Sequence, residues 1–493
     1  MSAFKYIFQI LLALNYVCTV FSNEKIVIVG AGASGIATAT KLLENGFNNI
    51  IILEAECRIG GRIHTVSLNG TSVDLGAEWC DGQKGNVVYD KLEELDLLNM
   101  LRHEHFPVQF YSSSRSNISY EFSKELTNVF KMVHDGIEES TDSLGDVFQK
   151  RYNQQISELY KTKPEKFHIA QQANNYWAHL LLRTSGSSSW HALASKDPDY
   201  QNKAGHSPGW KYGYISFLDA LMKKYPDTAH QLPIDDKIHL NKEVIKITYT
   251  DDSAPVTILC SDKSMYTAKH VVVTSSLGVL KQKVESLFEP KLDENKIKAI
   301  KNIGFGSVVK VFVTFNEKWW GNLPGFNFIW TDEDRAASSS KFQRGPRNQK
   351  GESWIVDIFY VFAIPDSNIL LCYFTGEMVT LLETMDELIL KDGLHYTFNL
   401  FLGHFYDIPK PLILIRSNWK SNPHFYGTNS FPSLVSTRED RRNLGIPILN
   451  FKEELVIQFA GEATSVNHYS SVQGAIESGY RAADKLIKLY KKT

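Results

Sequence analysis

The chain has 493 residues, more than one hydrophobic core usually serves, so two domains are the default expectation. Hydrophobic residues make up 43% and charged residues 22%, which excludes a disordered chain. The net charge is −2, with no long basic stripe and no nucleic-acid motif, so nothing points to nucleic acid as a partner.

Residues 1–22 read as a cleaved secretory signal: Lys5, an apolar stretch from Tyr6 to Phe21, then the small Ser22. The stretch is short for a membrane span, and an uncleaved signal anchor is the alternative. The expectation is a secreted, extracellular protein with no stable membrane span after cleavage. Two N-x-S/T sequons, at Asn69 and Asn117, suit glycosylation outside the cell. Cys18 leaves with the signal. Cys57, Cys80, Cys260 and Cys372 have no zinc spacing, so no metal is expected. They permit one or two disulfides whose pairing is open, or four free thiols.

The stretch from Lys25 to Glu54 reads strand, glycine turn, helix, strand, acid. Ile26 to Val29 is a β-branched run suited to a strand buried on both faces. Gly30, Gly32 and Gly35 follow in G-x-G-x-x-G spacing, with Ser34 between them. Gly30 permits the tight turn, Gly32 lets backbone approach a pyrophosphate, and Gly35 lets helix and strand pack closely. The pyrophosphate then meets the free N–H groups at the helix N-terminus. Ile50 to Leu53 forms the second strand, and Glu54 stands where a carboxylate takes ribose hydroxyls.

Past Glu54 the chain continues with Ala55, Arg58, Gly60, Gly61 and Arg62. The pattern E-A-x-x-R-x-G-G-R resembles the N-terminal signature of the flavin-dependent amine oxidase family, in which it closes around FAD. The run DLGAEWCDG, with Gly76, Ala77, Glu78 and Trp79, resembles the segment that passes beside the flavin ring in that family. Asp81 occupies the position where polyamine oxidases carry a histidine or carboxylate. A carboxylate there attracts a cationic amine; a plain loop aspartate is the other reading.

From Val87 to about Lys211 the chain reads mainly as helix. Leu92 to Leu98 suggests one helix, Glu121 to Tyr160 a helical stretch interrupted near Gly145, and Gln171 to Leu182 another. Strands return at Ile238. In the pattern I-x-L-N-x-x-V, Val244 matches the valine that lies against the FAD adenine in the family. The buried run from His270 to Thr274 belongs to the same nucleotide-binding domain, which is therefore discontinuous.

Val309 to Phe315 alternates as a strand should, and Lys310 lies inside it. A lysine there is costly without water or a partner. Lys310 matches the family lysine that reaches flavin N5 through a water; a strand-edge lysine facing solvent is the alternative. Thr331 to Ser353 reads as an exposed insertion loop. The family pattern W-x-x-D-P, then G-S-Y-S, appears with changes: Trp419 is present, the aspartate is Asn422, and the cleft aromatic is Asn429. These departures bear on the substrate more than on the cofactor.

Phe459 to Ala483 resembles the family's second FAD signature. Resemblance implies that Gly461 and Glu462 meet the ribityl chain and that backbone near Val472 meets the flavin pyrimidine. The helix beyond points its positive end at the flavin. Ser471 stands where some polyamine oxidases have a second cleft aromatic.

The fold expected is α/β: a discontinuous Rossmann-like FAD-binding domain (23–86, 233–300, 431–493) and a mixed-sheet and helical substrate domain (87–232, 301–430). The chain looks most like polyamine oxidases of the spermine oxidase type. That resemblance implies non-covalent FAD, a polyamine substrate (spermine, spermidine or an acetylated form) and dioxygen as reoxidant. Hydride passes to flavin N5, the imine is hydrolysed to an aminoaldehyde and a shorter amine, and hydrogen peroxide forms. Lys310 and Asp81 are the catalytic candidates; Asp81, Asn429 and Ser471 are the substrate candidates. A monoamine oxidase fits poorly, because Gly427 to Phe431 has no cysteine to tether flavin. An L-amino-acid oxidase is a second reading, but it needs an arginine for the substrate carboxylate, and none stands out. A catalytically inactive secreted binding protein is the reading from another class, motivated by Asn422, Asn429 and Ser471. Oligomeric state is open.

Overall fold

The computed structural model describes residues 24–80, 85–92, 95–99, 109–116, 118–195, 209–249 and 255–491. Asp81, Asn117 and the signal segment lie outside the described residues.

Two six-stranded sheets organise the chain. At the centre of the first are β1 (Ile26–Val29) and, across helix α1 (Ala33–Glu44), β2 (Ile50–Leu53). Strand β1 pairs in parallel with β2 on one side and His270–Val273 on the other. Leu455–Phe459 and Ile238–His239 extend the sheet in parallel, and Ile448–Leu449 closes one edge antiparallel. Parallel strands are thus drawn from three separated stretches of chain. The sheet is covered on both faces, which is why β1 reads as four buried β-branched residues without alternation. Each such side chain contributes about 1.5–3 kcal/mol on burial.

The C-terminal helix Val472–Lys491 returns to lie on α1. Close approach is possible because Gly479 has no side chain: a Cβ there would stand 2.4 Å from the Ser34 carbonyl oxygen. Thr38 Oγ1 donates to the Gly479 carbonyl (3.2 Å), and Lys41 pairs with Asp484 (2.8 Å). These contacts bring the two glycine motifs together from opposite ends of the chain.

The helical region between residues 120 and 185 packs against the second sheet through an aromatic core. Helices Tyr120–Asp135 and Leu144–Leu159 precede α2 (Pro164–Ser185). The helical stretch breaks at 136–143, not at Gly145, because Ser143 caps the second helix by accepting from Asp146 N. Residues Leu98–Asn99 form a short strand rather than continuing a helix. Tyr176 and Trp177 point inward as expected.

The second sheet runs Leu414–Arg416, β3 (Val309–Thr314), β4 (Ile369–Phe374), Tyr360–Ala363, Gly325–Ile329, Phe110–Ser112. All pairings are antiparallel except the last. Both faces of β3 are buried, so Lys310 faces the interior and not solvent. The segment 331–353 is not an exposed loop. Asp332–Lys341 is a helix capped by Thr331, and its buried Arg335 pairs with Glu352 at 2.7 Å. Polar composition concealed it, because the helix is amphipathic through one arginine rather than through apolar residues.

Cys57, Cys260 and Cys372 form no disulfide among the described residues; Cys57 is exposed, and Cys80, Cys260 and Cys372 are buried. Asn69 is exposed at the Asn69-Gly70 tip of the hairpin Thr65–Leu68/Thr71–Asp74. Among the described residues, no helix is long and apolar enough to cross a membrane.

Candidate active site

A continuous cavity of about 540 Å³ runs from the ends of β1 and β2 to Lys310 on β3. That volume lies within the usual range of small-molecule sites, about 300–1,000 Å³. Gly30 turns the chain with φ +106°, a conformation side chains rarely adopt. Gly35 must lack a side chain, since a Cβ would stand 1.9 Å from the Gly30 carbonyl oxygen. Gly32 packs against Gly60 and Gly61 across a backbone bridge, where a Cβ on Gly61 would stand 3.1 Å from Gly32 Cα. No side chain caps α1 at Gly32, which leaves its first N–H groups facing the cavity that Ala33 and Ser34 line.

Glu54 extends from β2 into the same end. Its carboxylate accepts from Ala31 N (2.7 Å) and Glu56 N (2.8 Å). Burial raises its pKa, and these two N–H groups only partly oppose the rise. Ala55, Val244, Ser275 and Val279 complete this end.

The opposite wall comes from the far end of the chain. Buried Glu462 accepts from Arg62 (3.0 Å), the Ser430 hydroxyl (2.6 Å) and Ser470 N (2.8 Å). Burial alone would raise its pKa, but Arg62, Ser430 and Arg441 outweigh burial and lower it. Gly461, Ser471 and Val472 line the cavity beside it. The Ser471 hydroxyl accepts from Gly474 N (3.1 Å), so Ser471 caps the C-terminal helix. Trp419 lines the middle, held by Nε1 donating to the Leu75 carbonyl (2.9 Å).

At the inner end, the Lys310 ammonium donates to Glu78 Oε2 (2.6 Å), the Gly76 carbonyl (2.8 Å) and the Asp74 carbonyl (3.0 Å). Tyr373 Oη on β4 donates to the same Glu78 oxygen (2.6 Å). Ala77 and Trp79 flank this group on the cavity wall. An ammonium has three donors, and all three are committed to the protein. Contact with a water at flavin N5, which the resemblance implies, requires releasing one of them.

The model of the flavin containing amine oxidoreductases matches residues 33–487. The chain belongs to that family. The amine oxidase is 27% identical over 501 residues to the peroxisomal N(1)-acetyl-spermine/spermidine oxidase of Homo sapiens, covering 95% of this chain and 96% of the relative. The Bos taurus counterpart is 27% identical over 500 residues, covering 95% of each chain. Polyamine oxidase 1 of Zea mays is 25% identical over 505 residues, covering 95% and 91%.

The family's cofactor is FAD, and the residues of this amine oxidase fit it. The open glycine cradle and the uncapped α1 suit a pyrophosphate, and Glu54 suits the ribose. The Arg62–Glu462 pair and the helix behind Val472 suit the flavin end. No cysteine lines the cavity among the described residues, so the fit is non-covalent.

Three site residues make contacts that the sequence does not show. Asn422 does not line the cavity. Its amide donates to Glu56 (3.2 Å), which also pairs with His424 (2.5 Å), near the Glu54 end rather than the substrate end. Asn429 lines the cavity, but its Nδ2 already donates to the carbonyls of Thr184 (3.2 Å) and Ser185 (3.0 Å) and to Ser470 Oγ (3.0 Å). Glu78, expected among the cofactor contacts, lines the cavity and is also the counter-ion of Lys310. Sequence reasoning missed Arg183 and Tyr373, which line the same end. Arg183 sits in the last turn of a helix before Gly186, where a basic residue ordinarily reads as a helix terminus, so no sequence signal marks it.

Proposed function

We propose that this amine oxidase acts on the CH–NH bond of a polyamine (spermine, spermidine or an acetylated form), yielding an aminoaldehyde, a shorter amine and hydrogen peroxide. Bound FAD supplies the two-electron acceptor and is reoxidised by dioxygen. The observation that carries the reading is the buried Lys310–Glu78–Tyr373 group at the end of a glycine-cradled cavity. The names of the full-length relatives support polyamines as the substrate class.

The chain's own contribution is orientation and electrostatics. Glu78 Oε2 accepts from Lys310 and from Tyr373, which fixes the carboxylate in one orientation on the cavity wall. Trp419 and Trp79 flank the cavity and limit water beside the reacting carbon.

Anaerobic addition of spermine, spermidine and N1-acetylspermine to the purified yellow protein tests this. Bleaching of the flavin absorbance by at least one of them is expected, with peroxide on readmission of air. Flavin left oxidised by all three defeats the reading. Secretion remains part of the proposal, and a mobility shift on glycosidase treatment of protein from culture medium is its measurement.

A further inference from the structure

Among the described residues, the cations that line the cavity are paired, with one exception. Lys310 pairs with Glu78, Arg62 with Glu462, Lys283 with Glu243, Lys242 with Asp262, and His424 with Glu56. Arg183 pairs with no carboxylate among the described residues, and its buried Nε has no hydrogen-bond partner. Its guanidinium lies between two rings, 5.1 Å from the centroid of Tyr360 and 5.2 Å from that of Tyr373. The Tyr360 hydroxyl is likewise buried without a partner. Ring faces stabilise a cation but leave its five N–H donors unused. A buried donor left unmade is costly, and a buried charge more so.

The position of Arg183 is built. It closes the last turn of α2, and Gly186 ends that helix in the left-handed conformation (φ +69°). Asn429 donates to the carbonyls of Thr184 and Ser185, immediately beyond Arg183. A side chain at Gly186 would stand 3.0 Å from Asn429 Oδ1 and 3.1 Å from Ser307 N. The residue that replaces the aromatic expected at Asn429 therefore fixes the helix end that carries the arginine.

We infer that Arg183 is a specificity-determining residue that receives an oxygen acceptor on the amine substrate, and that the cleft selects amines bearing such an oxygen over fully protonated polyamines. The acceptor is an acyl carbonyl or a carboxylate, both of which a guanidinium hydrogen-bonds through its planar fork. A wholly cationic polyamine offers no acceptor and brings further positive charge beside a guanidinium whose carboxylate neighbour, Glu78, is already paired with Lys310. The inference rests on the amine-oxidising reading of the same cavity.

The test compares holoprotein of the wild type, Arg183→Gln and Arg183→Lys. The ligands are spermine, N1-acetylspermine and N-carboxyethyl-1,4-diaminobutane. Binding is read anaerobically from the difference spectrum of the oxidised flavin, and reduction from its bleaching. The wild type is expected to bind one or both oxygen-bearing amines at least tenfold tighter than spermine. Arg183→Gln loses that preference ten- to hundredfold and binds spermine severalfold tighter; Arg183→Lys restores part of it. An acyl arm that responds alone identifies the carbonyl, and a carboxylate arm that responds alone identifies the anion. An unchanged preference in Arg183→Gln overturns the inference. So does loss of flavin from that variant, which would make Arg183 a cofactor residue. If no ligand bleaches the wild-type flavin, amine oxidation fails as a reading, while the difference spectra still decide the role of Arg183.

Discussion

Lys310 and Glu78, 232 residues apart in sequence, meet at 2.6 Å with both side chains buried. A buried pair of this kind is weak evidence for stability, yet breaking it is expensive, because the survivor keeps its charge without its partner. Lys310→Met is expected to cost about 3–5 kcal/mol in denaturant unfolding of the holoprotein. Adding Glu78→Gln should recover part of that loss. Additive single-variant losses would mean the two charges do not interact. Both variants should slow anaerobic flavin reduction.

The glycine turn carries a steric requirement that flavin content reads directly. In Gly35→Ala the new methyl would fall 1.9 Å from the Gly30 carbonyl oxygen, which is backbone and has no rotamer to change. The expected result is little or no yellow protein, with the ratio of flavin to protein absorbance as the measurement. A fully flavinated Gly35→Ala would show that α1 can shift away from β1.

Asn429→Phe puts back the ring that the resemblance implies and removes three hydrogen bonds to Thr184, Ser185 and Ser470. A buried acceptor left unsatisfied costs about 1–3 kcal/mol, and these cost less, because one of the three bonds is exposed and two are part-buried. A lower Tm is expected, along with a raised KM for oxygen-bearing amines, because the end of α2 loses its anchor. A raised Tm with unchanged KM would show that Asn429 does not position that helix end.

Asp74 provides the pH dependence. Burial pushes its carboxyl from 3.8 up to about 6, against the Thr65 hydroxyl and Tyr214 N, which donate to it. The folded state therefore holds the proton over a range where the unfolded state has lost it. Its contribution to stability is fully present below about pH 4 and is lost as pH rises through about 6. That interval corresponds to about 3 kcal/mol. Asp74→Asn has no proton to lose, so its stability relative to wild type should rise by up to that amount between pH 4 and 7. Denaturant unfolding at a series of pH values measures it; parallel curves for the two proteins would contradict the assignment.

The cofactor half of the site was legible along the chain because its requirements are local. A G-x-G-x-x-G turn after a buried β-branched run constrains φ at Gly30 and contact at Gly35 within ten residues. Glu54 follows at the end of the next strand. Glu462 and the helix after Ser471 form a second local pattern of the same sort. Helix boundaries were less legible. Ser143 ends the break two residues before Gly145, and Asp332–Lys341 has too few apolar residues to show a period.

By itself the sequence determined the flavin family, the cofactor and the strand that carries Lys310, since each is set by spacing within a few turns or strands. Only the tertiary structure decided what lines the inner end of the cavity. Glu78, Arg183, Tyr373 and Asn429 come from four separated segments, and no periodicity relates one to another. Whether Lys310 has a partner, and whether Arg183 lacks one, depends on which side chains the packing of α2 against the second sheet brings within hydrogen-bond reach. That reach is about 3 Å, a distance that chain spacing does not encode.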